Sequence, residues 1–411
     1  MKRSSEQSIY PTHKVALSPT PKQESLLMQN AGYARVAYNS VLNDWTQNKK
    51  DIPWTAPALR QRWNVAKHTL DWTPDMIQSV GDFAIEDLAK AIAEWGKYRK
   101  ARKTGLPHRI VGYPKHRAKR KGLSFSYDPR RCKVEARRIN IPKIGWVKTR
   151  EELRFDGKIA KVVIKRDAKR WFACISVQQP KPEETSRRGV VGVDVGIRTL
   201  AYTSRGLSYG NPRPLEAALA KLRRLQKAVS RSENINGREW QGYNLTKLRQ
   251  EISVLHERIA NLRNKWHHEI AAEIVAGVGK VRVETLNISG MIRNKRLARA
   301  LSDAAMGRFL SILLWHCQKN GIHFERIDRW YPSSKMCSAC GHVKSLLLLT
   351  ERIYRCVECG HEMDRDENAA LNIENAPTSG GIVEEPSDSL HFEAMSSACE
   401  ARLKTAIPLV A

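Results

Sequence analysis

The spacing of apolar positions changes character several times along the chain. The run His13-Lys-Val-Ala-Leu17 reads as a short strand. In Pro19-Thr20-Pro21-Lys-Gln23, Thr20 as N-cap, Pro21 at the first helical position and Gln23 at the third form a capping box. Leu27, Ala31, Ala34, Tyr38, Val41 and Trp45 then fall on one face, so a helix is predicted to about Asn48. After a Trp/Pro-rich break at 52–57, helical spacing resumes over Ala58–Lys67 and Pro74–Lys103, with Ile77, Phe83, Leu88, Ile92 and Trp95 as core candidates. Alternation takes over in 123–178. Short runs at Leu123–Tyr127, Arg138–Ile141, Trp146–Lys148, Ile159–Lys165 and Trp171–Gln178, divided by turn signals, predict a small barrel or sandwich. The polar, proline-containing stretch Pro180–Arg188 marks a domain boundary.

Gly189-Val-Val-Gly-Val-Asp194-Val-Gly196 is almost continuously apolar and reads as a buried central strand. An ionised Asp194 inside it must be paired, hydrogen-bonded or bound to metal, because burying a bare carboxylate is costly. On this stretch alone, capping of the turn at Gly196 is the plainer alternative. Leu200–Thr203 can return as the next strand. Residues 214–275 look helical with a break near Asn234–Gly237. Leu245, Leu248, Ile252, Leu255, Ile259 and Leu262 form a coiled-coil-like seam, suggesting two long antiparallel helices. Adjacent His267 and His268 cannot share one helical face, so they read as structural or RNA-facing rather than as metal ligands. Lys280–Val283 is another strand, with Glu284 at its C-terminal end, where α/β sheets commonly place their sites. A helix at Ser302–Asn320 and a strand at Ile322–Ile327 follow, and the Ser/Pro/Glu-rich tail from Glu374 is expected to be mobile.

Charge changes the picture. Lys plus Arg outnumber Asp plus Glu by 71 to 42, a net charge of +29 on 411 residues, which points to a polyanionic partner, nucleic acid before an anionic membrane surface. The absence of a long apolar run and of an apolar signal core argues against membrane spanning and secretion. From Trp95 to Tyr127 there is no carboxylate, while Lys97, Arg99, Lys100, Arg102, Lys103, Arg109, Lys115, Arg117, Lys119, Arg120 and Lys121 appear. Phosphate-backbone binding fits this run better than a merely solvated face. Tyr98, Tyr113, Phe125 and Tyr127, interleaved with it, suit either base stacking or core packing.

Two further patterns lie back to back near the C-terminus. Cys337, Cys340, Cys356 and Cys359 have the Cys-x2-Cys…Cys-x2-Cys spacing of a tetrahedral structural zinc site. Cys132, Cys174, Cys317 and Cys399 are scattered, which favours a reducing compartment over a disulfide framework. Asp364-Arg-Asp366-Glu-Asn368-Ala-Ala opens a short helix, and capping suits Asp364 better than Asp366. If a sheet gathers Asp194, Glu284 and Asp366, their mutual repulsion calls for hard divalent ions, Mg²⁺ or Mn²⁺, and two such ions hydrolyse phosphodiesters.

These motifs together resemble the TnpB family, transposon-encoded RNA-guided DNA endonucleases related to type V CRISPR effectors. The likeness covers roughly residues 13–373 through Leu17-Ser-Pro-Thr20, Gly112-Tyr-Pro-Lys115, Ile141-Pro-Lys-Ile-Gly-Trp146-Val-Lys148, Gly192-Val-Asp194-Val-Gly196, Glu284, Leu301-Ser-Asp303-Ala, Tyr331-Pro-Ser-Ser, both cysteine pairs and Asp364–Ala370. It implies an α/β multidomain protein with a split RNase H-like (RuvC-like) nuclease domain, an inserted zinc ribbon, and an N-terminal wedge β-barrel interrupted by a helical recognition module. The implied boundaries are a first wedge segment at 1–19, the helical module at 20–104 and the wedge barrel with its basic segment at 105–186. The nuclease domain follows at 187–330, the ribbon at 331–362, the last nuclease part at 363–375 and a disordered tail at 376–411. The family's catalytic, Mg²⁺-binding trio falls on Asp194, Glu284 and Asp366. The implied partners are a noncoding guide RNA from the transposon end and double-stranded target DNA cut beside a short transposon-adjacent motif, with a monomer holding one RNA. Met306, where relatives often carry an aromatic, and the apolar span Leu346–Leu349 depart from the pattern. A nuclease-inactive RNA-guided repressor and a zinc-ribbon accessory protein are the competing readings; the intact trio argues against the first.

Overall fold

Thr20 caps the first helix as its sequence predicts: its side chain accepts from Gln23 N–H, and the Gln23 side chain accepts from Thr20 N–H. This is seen in a computed structural model that describes residues 8–48, 53, 55–106, 110–119, 122–154, 156–237, 240, 242–294, 296–348 and 350–377. The chain divides into two compact units, Met1–Gln179 and Pro180–Ala411, at the start of the predicted linker.

The first unit comprises β1 (Ser8–Ile9), β2 (Thr12–Ser18), α1 (Pro21–Gln47), α2 (Ala56–Lys67), α3 (Gln78–Thr104), β3 (Leu123–Tyr127), β4 (Lys133–Glu135), β5 (Arg138–Ile141), β6 (Gly145–Thr149), β7 (Lys158–Asp167) and β8 (Arg170–Pro180). Its strands run in the order β3-β7-β8-β2-β6-β5-β4, every neighbouring pair antiparallel, with β1 against β8. Strand β2 joins the halves, pairing Thr12–Ala16 with β8 and Leu17–Ser18 with β6. The expected barrel or sandwich is therefore one sheet whose end strands, β3 and β4, do not pair with each other among the described residues. Leu27, Leu42, Trp63, Ile85, Leu88 and Ile92 are fully buried between the helices. Gly81 lets α3 approach α2, since a Cβ there would stand 2.5 Å from the Trp63 indole nitrogen. Phe83, a predicted core residue, is only half-buried; its neighbours Val80 and Ile85 take the inward positions.

The second unit comprises β9 (Val190–Val195), β10 (Thr199–Thr203), β11 (Ser208–Gly210), α4 (Pro214–Asn236), α5 (Tyr243–Ile274), β12 (Lys280–Val283), α6 (Ile288–Met291), α7 (Ala298–Ala304), α8 (Met306–Lys319), β13 (His323–Arg326), β14 (Ile353–Arg355), β15 (Glu362–Asp364) and α9 (Arg365–Asn375). The main sheet has the order β11-β10-β9-β12-β13, so the apolar run at 190–195 is its central strand. Strand β9 is antiparallel to β10 and parallel to β12, which is parallel to β13. Val191, Val193, Val281 and Val283 point to one face and share a core with Ile270, Phe309 and Leu313 of α5 and α8. Met306, the residue that departs from the family pattern, is buried in this core.

Helices α4 and α5 lie antiparallel, as the seam predicts: Leu215 and Ile259 share a small core, and Glu233 pairs with Arg249 at 2.6 Å further along. Leu262, the last predicted seam residue, is 49 % exposed, so the seam ends at Ile259. The single helix predicted over 302–320 is two, because Ala305 takes φ +46° and breaks it between α7 and α8. Asp303 explains the Ser-Asp-Ala motif physically. It is buried, its oxygens accept from Leu215 and Glu216 N–H at the start of α4, and Arg263 pairs with it at 3.1 Å. No helix among the described residues is long and apolar enough to cross a membrane.

Candidate active site and metal centre

The period-two geometry of β9 and β12 decides where the acids go. With the odd-numbered valines facing α5 and α8, Gly192, Asp194, Arg282 and Glu284 must face the other way. That face is covered by α9. The register pairs Val193 with Val283 in parallel, so Asp194 and Glu284 follow as neighbours on adjacent strands, whose spacing is about 4.8 Å. Helix α9 runs back along β9 so closely that a Cβ on Gly192 would meet the Ala370 carbonyl oxygen at 2.1 Å and the Glu374 nitrogen at 2.5 Å. Moving two residues up the strand from Gly192 reaches Asp194. One turn back along the helix from Ala370 reaches Asp366, and both steps cover about 6 Å. The three acids therefore sit at one end of the same strand–helix contact, and each is half-buried.

Electrostatics agree. Burial, then the charges of Glu284 and Asp366, push the Asp194 carboxyl up to about 8, against the opposing pull of Val195 N–H and Arg365. A carboxyl so placed holds a proton at neutral pH until cations offset its neighbours. Glu284 accepts a hydrogen bond from the buried Ser333 hydroxyl. Among the described residues, the four thiols form a ligand set whose sulfurs lie within 4.8 Å of one another.

Helix α9 is held at both ends. Asp364 is its N-cap, accepting from Asp366 and Glu367 N–H at 2.8 and 3.3 Å, and the Asp366 carboxylate in the first turn lies 3.6 Å from the Arg365 guanidinium. At the other end the Arg282 guanidinium donates to the Glu374 and Ala376 carbonyls at 2.6 and 2.8 Å, while its Nε donates to Glu325 at 3.0 Å.

The thiol cluster consists of two matching knuckles. Cys337 N–H donates to the His342 carbonyl and Gly341 N–H to the Cys337 carbonyl; Cys356 with His361 and Gly360 with Cys356 repeat the pattern. Gly341 and Gly360, at φ +77° and +72°, take the left-handed turn each knuckle needs. Sulfur separations are 3.7 Å for Cys337–Cys359 and 3.6 Å for Cys340–Cys356. Four thiolates about 2.3 Å from a tetrahedral zinc would be about 3.8 Å apart, so the donors fit that ion. Backbone N–H groups of Cys359 and Glu358, aimed at the Cys356 sulfur, bring its thiol down to about 6.

Of the predicted phosphate-binding cations, Lys97, Arg99, Lys100, Arg102 and Lys103 line the last turns of α3 and are exposed, as are Lys115 and Lys119. Arg117 is engaged within the fold, paired with Asp87 at 3.0 Å and stacked over Tyr38 at 4.0 Å. Arg109, Arg120 and Lys121 lie outside the described residues. Phe125 and Tyr127 are buried and Tyr113 stacks on Trp45, so these three are core residues rather than base platforms. His267 is likewise buried against Phe309, and His268 meets His316 at 3.1 Å, in keeping with structural roles.

Ser333 and Asn368 lie inside the family motifs but were given no role, and Arg282 and Asn372 escaped the sequence reading. Only the i, i+4 spacing of the two asparagines hinted at a shared face. Exposed Trp330, with the Arg329 guanidinium 5.1 Å over its ring, was missed for the same lack of a spacing signal.

Three family models match the chain: "Helix-turn-helix domain" over 9–50, "Probable transposase" over 172–295 and "Cas12f1-like, TNB domain" over 307–373. The first stretch folds here as β1, β2 and the single helix α1. A Mycobacterium tuberculosis protein named "Putative RNA-guided DNA endonuclease" is 30% identical over 410 residues, covering 88% of this chain and 85% of that one. The chain belongs to the TnpB family. Another TnpB-family relative, from Streptomyces pristinaespiralis and bearing the same name, is 28% identical over 89% of each chain. The structure described as "Cryo-EM structure of the Cas12f1-sgRNA-target DNA complex" aligns with a TM-score of 0.49 at 14% identity, covering 90% of this chain and 99% of that one.

Proposed function

We propose that the chain is a transposon-encoded, RNA-guided DNA endonuclease that cuts double-stranded DNA beside a short transposon-adjacent motif, with Asp194, Glu284 and Asp366 as its catalytic residues. The observation that carries this reading is the convergence of those acids: burial first, then the charges of Glu284 and Asp366, hold the Asp194 carboxyl up at about 8. Such a group is ionised at neutral pH only when cations occupy the pocket, and all-oxygen donors favour Mg²⁺ or Mn²⁺. When bound, a pair of these ions supplies the Lewis acidity for hydrolysing a phosphodiester. Asp194, on the central strand β9, would hold the ions together with Glu284 and Asp366. The relatives' names support the RNA-guided activity, and the exposed cations on α3 suit a phosphate backbone, with base pairing to the guide reading sequence. Trp330 offers an exposed ring face to an unpaired base of the strand being cut.

In this reading residues 1–19 and 105–186 form the wedge, 20–104 the recognition module, 187–330 and 363–375 the split RuvC-like nuclease, and 331–362 the zinc ribbon. The predicted tail at 376–411 falls almost wholly outside the described residues. The mixed sheet with Asp194 and Glu284 at the C-terminal ends of parallel strands supports an RNase H-like nuclease, and the matched knuckles support zinc. The chain acts as a monomer with one transposon-end RNA, in the cytoplasm at the nucleoid. Replacing Asp194 by Ala tests the reading: cleavage of a plasmid carrying target and motif is lost, while binding of RNA and target DNA stays at the wild-type level. Retained cleavage would overturn the assignment, and a wild type that binds and blocks transcription without ever cutting would favour a repressor.

A further inference from the structure

Ser333 lies in the loop between β13 and the first knuckle, is 3 % exposed, and donates its hydroxyl proton to the Glu284 carboxylate. Its main chain is pinned. The Asn372 side chain on α9 donates to the Ser333 carbonyl at 2.8 Å and to the Met336 carbonyl at 2.7 Å. One turn back, Asn368 donates to the same Met336 carbonyl at 2.7 Å and accepts from Ser338 N–H at 2.9 Å. Asn368 thus grips the backbone on either side of Cys337. Both asparagines are buried, at 0 % and 3 % exposure. The helix that carries them also carries Asp366 and rests on Gly192, two residues from Asp194. A continuous set of buried and part-buried hydrogen bonds therefore runs from the thiol cluster to Glu284 and to the helix that carries Asp366, where water competes less for the partners.

We infer that the first cysteine knuckle is a positioning element for the acid site: once its thiolates are gathered on a metal, Ser333, Asn368 and Asn372 hold Glu284 and α9 in the orientation that receives divalent cations. The inference rests on the cation-site reading above. Orientation matters because a carboxylate that must swing into place loses affinity, and removing the outer partner of a metal ligand typically weakens binding by about 10–100-fold. Ser333 engages one of the two Glu284 oxygens.

Mn²⁺ binding to the zinc-loaded chain, read from the electron paramagnetic resonance signal of free Mn²⁺, tests this without cleavage. Ser333→Ala should lower Mn²⁺ affinity by about tenfold or more while zinc content and melting temperature stay at the wild-type values, and Ser333→Thr, which keeps the hydroxyl, should restore most of it. Stripping zinc from the wild type should weaken Mn²⁺ binding by at least as much, an arm that decides the matter even if Ser333→Ala does not fold. Wild-type Mn²⁺ affinity in Ser333→Ala or in the zinc-free chain, alongside binding that Asp194→Asn abolishes, overturns the inference and leaves the cation site standing. Mn²⁺ binding that is absent from the wild type, or indifferent to Asp194→Asn, overturns the cation site and the inference with it.

Discussion

Asp194→Asn should make the zinc-loaded, Mg²⁺-free protein more stable at alkaline pH, although it removes a residue at the centre of the site. In the folded chain the Asp194 carboxyl stands at about 8 instead of 3.8. Between those two values the native state holds a proton that the unfolded chain has released. Stability therefore falls as pH rises through this window and levels off above it. Four units correspond to a ceiling of about 5–6 kcal/mol. Because Asp194 remains half-buried rather than sealed, a loss on the order of 2–4 kcal/mol between pH 5 and 8 is the working expectation. Asparagine carries no such proton, so its urea midpoint should vary far less over that range and exceed the wild type's at pH 8. Added Mg²⁺ should recover the wild type and leave the variant unmoved. Urea unfolding of both proteins at stepped pH, with and without Mg²⁺, reads all of this. A wild-type stability that is flat or rising from pH 5 to 8 without Mg²⁺ would refute the reasoning.

Gly192→Ala should abolish cleavage with RNA binding retained, since the added methyl meets the Ala370 carbonyl at 2.1 Å and must displace α9 with Asp366; a cleavage assay beside an RNA gel shift checks it. Asp303→Ala should destabilise the second unit by about 3–5 kcal/mol, because it leaves Arg263 buried without its partner and uncaps α4; denaturant unfolding measures the change. Chelating zinc should open the ribbon while residues 8–179 stay protected, because the ribbon and its α9 clamps all lie in the second unit; hydrogen exchange resolved by peptide distinguishes this from global unfolding.

How far the sequence could go varies with the range of the interaction involved. Local chemistry was legible: the Thr20 capping box, the near-complete length of α1, the central strand around Asp194, the two cysteine knuckles and Asp364 as the cap of α9 all follow from residues within a turn of one another. The α7–α8 break was not legible, because Ala305 is an ordinary helix former held in a left-handed conformation by its surroundings. Nor could alternation say whether the strands of the first unit close, since that depends on which edges meet. Asp194, Glu284 and Asp366 could be named from strand ends, a helix start and family motifs, but their convergence depends on the parallel β9–β12 register and on Gly192 admitting α9. The contacts that orient them, Ser333 on Glu284 and Arg282 on the end of α9, join residues 49 and 92 positions apart. Sequence fixed the donors because donor chemistry is a property of single side chains and short spacings. Only tertiary structure decided their geometry, because packing across the sheet sets which distant groups share a pocket and how strongly they perturb one another.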